Sequence, residues 1–65
     1  MSVSATIKQL RGERPQEDLA HEAGISTSTL SRIERGLHEP GLPTLRKIAS
    51  ALHVSLADLL DAAED

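Results

Sequence analysis

Residues 16–36, QEDLAHEAGISTSTLSRIERG, fold two short amphipathic helices around a single glycine. Leu19, Ala20 and Ala23 lie at i, i+1 and i+4 and share one face of the first helix. Gly24 supplies the residue a helix C-terminus favours, because it adopts positive φ without a Cβ penalty. Ser26 is a good N-cap for the second helix. Leu30 and Ile33 form that helix's own i, i+3 apolar pair, and Gly36 ends it. Only Gly24, Ile25 and Ser26 separate the two helices. So short a link disfavours an antiparallel pair and suits the steep crossing of a helix-turn-helix, whose second helix can enter a DNA major groove.

The flanking sequence extends the helical pattern in both directions. Helix 1 is expected from about Ser4, its N-cap, to Arg11, with Ile7 and Leu10 facing inward and Gly12 as its stop. Pro15 fits the start of helix 2, where a missing N–H costs nothing. Residues 36–43, GLHEPGLP, make the one long loop. Helix 4 begins near Leu42, tolerates Pro43 in its first turn, and buries Leu45, Ile48, Ala49 and Leu52. Ser55 and Asp58 read as a capping box with Asp in place of Glu, opening a fifth helix with Leu56, Leu59 and Leu60 on one face. The acidic tail, about residues 62–65, is expected to fray. No strand pattern or repeat interrupts this, so residues 1–65 are expected to form one all-α, five-helix domain.

Composition narrows the function. There is no cysteine, which excludes disulfides and thiolate metal sites. His21, His38 and His53 share no i, i+4 relation and have no suitably spaced carboxylate, so no metal or other cofactor is expected. No Ser/His/Asp arrangement supports an enzyme. Aromatics are absent, which argues against base stacking on aromatic platforms, as single-strand and many RNA binders use. No apolar run approaches the roughly 18 residues of a transmembrane helix, and the N-terminus lacks a signal-peptide pattern. A soluble cytoplasmic protein is expected. The formal net charge of −3 hides an uneven distribution: Asp58, Asp61, Glu64 and Asp65 fall at the end, and residues 1–57 carry seven Lys/Arg against six Asp/Glu.

The ordered set Gln16, Leu19-Ala20, Gly24, Ile25-Ser26, Leu30, Ile33, Glu34-Arg35-Gly36, Pro40, Leu45, Ile48-Ala49, Leu52, Val54-Ser55 and Leu59-Leu60 resembles the lambda-repressor-like, or Cro/xenobiotic-response-element, helix-turn-helix regulators. The resemblance covers about residues 5–60. It implies a five-helix DNA-binding domain with the motif at about 16–35 and a recognition helix at about 27–35. With Leu30 and Ile33 inward, Thr27, Ser28, Ser31 and Arg32 become the candidates for base contact. Short polar residues would equally solvate an exposed helix face; the family pattern favours the base-reading role for the group. The resemblance also implies that Gln16 anchors the helix 2 end on the DNA backbone, where free N–H groups suit a phosphate, and that Glu34 pairs with Arg11. Arg35, His38 and Thr44 are further candidates for phosphate contact; Arg46 and Lys47 are instead read as solvated and rank lower. Two departures from the family stand out. The link Arg11-Gly12-Glu13-Arg14-Pro15 is short, and His53 replaces the glycine that usually closes helix 4.

The implied function is sequence-specific binding of a double-stranded DNA operator by a transcriptional regulator. Few cations per subunit point to a homodimer, through helix 5, on half-sites roughly 34 Å apart. The alternative is an antitoxin-like interaction module whose main partner is another protein. The acidic balance leans slightly toward it, and fold alone does not separate the two.

Overall fold

Three serines start helices. Ser2, Ser26 and Ser55 hold extended backbone, and each hydroxyl accepts from the amide three residues on, at 3.1, 3.0 and 2.9 Å. The computed structural model describes residues 2–64. Among them five helices follow one another: α1 Val3–Arg11, α2 Gln16–Ala23, α3 Thr27–Glu34, α4 Leu42–Ala51 and α5 Leu56–Ala63.

Three helix ends share one device. At Gly24, Gly36 and His53 the backbone turns left-handed, with φ of 72°, 74° and 61°. In each case the next amide reaches back across the end, Ile25 to Ala20, Leu37 to Arg32 and Val54 to Ala49, at 2.9–3.0 Å. These are Schellman motifs, and they satisfy carbonyls that would otherwise lack partners. His53 therefore occupies a position suited to glycine.

Each helix contributes at least one aliphatic side chain with no solvent exposure: Ile7, Leu19, Leu30 and Ile33, Ile48, and Leu59. Around this core α1 packs on α3 and α5, α2 packs on α3 and α4, and α4 packs on α5. Val3, Ile25, Leu52, Val54, Leu56 and Leu60 cover its edges.

The structure corrects four local expectations. Helix 1 is capped by Ser2, not Ser4, and starts two residues earlier than expected. Its buried face consists of Thr6 and Ile7, with Val3 packed beside them, whereas Leu10 is 44% exposed. The buried arc of α1 is centred on Thr6 and Ile7, and one i, i+3 step carries Leu10 past its edge. In α4, Ala51 is buried and Leu52, which caps the helix, is only half-buried. The Ser55–Asp58 box makes only the Ser55 bond among the described residues, since the shorter Asp side chain forms no return bond to the Ser55 amide. The last helix, α5, runs through Ala63, and Asp65 lies outside the described residues.

Two strained or unsatisfied groups follow from this packing. The Thr6 hydroxyl is buried without a hydrogen-bond partner, and His53 is the one non-glycine residue with positive φ among those described. Thr6→Val keeps the shape and removes the orphaned hydroxyl, so it is expected to raise stability by about 1 kcal/mol. His53→Gly is expected to add about 0.5–1 kcal/mol, the αL strain relieved less the extra freedom of the unfolded chain. Urea denaturation of both variants measures these gains.

Candidate nucleic-acid interface

The Gly24 turn sets how α3 stands on the domain. With the α2 end closed by Gly24 and the α3 start closed by Ser26, the three-residue link has little freedom left. The Ser26 hydroxyl also donates to Thr29 Oγ1 at 2.7 Å, which fixes the first turn of α3 further. Leu30 and Ile33 point into the core, and Thr27, Ser28 and Arg32 are exposed with Ser31 half-buried beside them. Thr27 and Ser31, and Ser28 and Arg32, are i, i+4 pairs, so the four candidates form two adjacent rows on one outward face.

The candidate backbone contacts are spread around this face. Arg35 caps the C-terminal end of α3, and His38 is exposed in the loop that follows. Both line an open groove against the first turns of α1, but Thr44 does not. Gln16 and Thr44 are half-buried in the first turns of α2 and α4. Neither α2 nor α4 has a side-chain cap, because Pro15 and Gly41 stand at their N-cap positions. Their first free amides thus face no internal acceptor side chain, which suits an anion, although Glu17 and Asp18 in α2's first turn oppose one.

Glu34 ties α3 to two other helices. Arg11 grips its carboxylate in a two-pronged contact, Nε to Oε2 at 2.7 Å and Nη2 to Oε1 at 2.9 Å. Gln16 Nε2 donates to Oε1 at 3.1 Å. The Glu34 side chain is 2% exposed and that of Arg11 14%. Burial alone would push the Glu34 carboxyl up, but the hydrogen bonds from Arg11 and Gln16, with the nearby positive charges of Arg11 and Lys8, hold it below the ordinary carboxylate range. The Arg11 guanidinium is held above its usual value, chiefly by its hydrogen bonds to Glu34. The implied Arg11–Glu34 pair is therefore present.

Two features were not anticipated from sequence. One N–H of the Gln16 side-chain amide is spent on Glu34, leaving its second N–H, its carbonyl oxygen and the backbone N–H for any outside contact. Arg14 is a second internal clamp: Nη1 donates to the Ala51 carbonyl at 2.9 Å, and Nη2 is paired with Glu22. The Arg14 carbonyl in turn accepts from Arg11 Nη1 at 2.7 Å. Charge and spacing alone do not announce these contacts, because the partners lie up to 37 residues apart.

Residues 7–59 match the helix-turn-helix family. The chain belongs to that family. Its relatives include the transcriptional regulator DdrOP3 of Deinococcus deserti, 38% identical over 66 residues, covering 98% of this chain and 51% of that protein. SinR of Bacillus subtilis is 40% identical over 62 residues, covering 91% of this chain and 56% of SinR. The chain thus spans about half the length of these curated relatives. The fold is that of solved family members. A mutant of the restriction–modification controller protein C.Esp1396I superposes with a TM-score of 0.87 at 31% identity, covering 95% of this chain and 83% of that one. SinR, solved in complex with SinI, superposes with a TM-score of 0.82 at 40% identity, covering 91% and 60%. The five helices are thus a lambda-repressor-like fold of the kind transcriptional regulators carry, with α2 and α3 as the helix-turn-helix.

Removing one partner of the buried pair leaves a charge without compensation. Arg11→Ala is expected to cost about 3–5 kcal/mol, a large share of the stability of so small a domain. Glu34 ionises more readily folded than unfolded, so its contribution is complete above the ordinary carboxylate range and is lost as pH falls through its lowered folded value. The stability gap between wild type and Glu34→Gln is therefore expected to shrink below about pH 4.3. Urea midpoints at pH 7, 5, 4 and 3 report it; a gap that widens toward acid would contradict the assignment.

Proposed function

We propose that this chain binds double-stranded DNA sequence-specifically, as the DNA-binding part of a transcriptional regulator. The observation that carries the reading is the outward face of α3. In a chain of this family, Thr27, Ser28, Ser31 and Arg32 stand together on a helix locked by the Gly24 turn and the Glu34 clamp. In this reading α3 lies in the major groove. Arg32 reaches a base edge, in the bidentate manner that arginine uses on guanine, and the three hydroxyls contact neighbouring bases. Gln16, Arg35, His38 and Thr44 hold the backbone from helix ends and the loop, and so set the register.

The domain acts as a regulator and not as an enzyme, in the cytoplasm, and no helix among the described residues is long and apolar enough to cross a membrane. It works as a homodimer on a two-fold operator. Leu56 and Leu60 on α5, only half-buried at the edge of the core, support a partner's contact there. A protein partner besides DNA is compatible with the fold, since the related SinR is solved with SinI. An antitoxin-like role in which protein binding is the main task is not favoured by the family comparison.

Arg32 and Arg35 separate base reading from backbone affinity. Arg32→Ala is expected to cost about 1–3 kcal/mol on the preferred site and to relax choice at one base pair. Arg35→Ala is expected to weaken all duplexes alike and to lower the salt slope by about one unit. A duplex selected by the protein from a random pool, and a scrambled version of it, are titrated with both variants at several salt concentrations. Equal weakening of both duplexes by Arg32→Ala removes it from the base-reading set.

A further inference from the structure

The groove between α1 and the α3–α4 loop is not explained by base reading. It is lined by Ser2, Ser4 and Lys8 from α1, by Arg35 at the α3 end, and by His38 and Glu39 from the loop. The two sides approach closely: a side chain at Gly36 would meet the Ser4 hydroxyl, 4.0 Å from an ideal Cβ. Lys8, Arg35, His38 and Glu39 are all exposed, so their charges meet in solvent at the groove. Glu34 also borders it, but its carboxylate is already bound by Arg11 and Gln16. Glu39 is then the one other carboxylate among the described lining residues, against the two cations Lys8 and Arg35, so the groove carries a net positive charge.

We infer that this groove holds a backbone phosphate of the bound DNA, gripped by Lys8 from α1 together with Arg35 and His38. The inference rests on the DNA-binding reading above and adds α1 to the contact surface. A contact of this kind is blind to sequence, so it is read on any duplex.

The test is fluorescence anisotropy on a mixed-sequence duplex, for which no operator is needed. Lys8→Gln is expected to lower the slope of log affinity against log salt by about 0.9. Lys47→Gln, an equally exposed lysine on α4, is expected to leave it unchanged. Glu39→Gln is expected to strengthen binding. A salt slope untouched by Lys8→Gln but lowered by Arg35→Ala overturns the groove and leaves the DNA-binding reading standing. Absence of duplex binding by the wild type overturns both. Amide shifts with inorganic phosphate at the groove, without any change in the DNA salt slope on Lys8→Gln, indicate a small-anion site and also overturn the proposal.

Discussion

A single buried carboxylate holds the functional half of this domain in register. Glu34 sits at the end of α3, and its two oxygens are taken by Arg11 from the end of α1 and Gln16 from the start of α2. Hydrophobic packing alone would let three short helices slide or rotate over one another at small cost, since aliphatic contacts are non-directional. A planar guanidinium on a planar carboxylate is directional, and it fixes both distance and angle. The net stabilisation of such a pair is small once desolvation is subtracted. Its value here is geometric: the outward rows of α3 keep a fixed relation to the α2 end, where a second set of DNA contacts is proposed.

The rest of the architecture closes off freedom at helix ends. Serine hydroxyls cap α1, α3 and α5, and left-handed residues close α2, α3 and α4. The two starts without a side-chain cap are those of α2 and α4. Open amides at a helix start are a modest cost in an isolated domain, and they are also what an external phosphate uses. The pattern of caps and missing caps therefore agrees with the proposed interface.

How much of this was legible in the sequence depends on the range of the interaction. The turn was readable because glycine and serine act on their own backbone: Gly24, Gly36, Ser26 and Ser55 all do what local chemistry dictates. The inward residues of α2 and α3 were readable because the periodicity is strong there. Helix 1 was misread at its start and in its buried face, but not at its end. Serines at 2 and 4 are equally good caps by type, and the choice is made by which residues α3 and α5 cover. The Arg11–Glu34 pair came from family resemblance, not from spacing. Arg14 could not be read at all, because its acceptors are a backbone carbonyl on α4 and a carboxylate on α2. The outward residues of α3 were nameable by elimination, but a hydroxyl's preference among bases is not written in its type.

The charge inventory then limits what one copy of the domain can do. Of seven Lys and Arg residues, Arg11 and Arg14 are committed to internal carboxylates. Arg46 and Lys47 lie on α4, which leaves Lys8, Arg32 and Arg35 around the recognition helix. If three cations meet phosphates, a fourfold rise in salt weakens binding by about 40-fold, against 10³–10⁵-fold for a protein with 6–10 phosphate contacts. A single copy thus has little sequence-blind affinity, and in the proposed reading base contacts and a second copy supply the remainder. That shortage has a benefit for recognition. Genomic DNA competes through the electrostatic part of binding alone, so a domain that contributes little to that part is less readily held at wrong sites, and its discrimination depends on how rigidly Glu34 and the Gly24 turn present the face of α3.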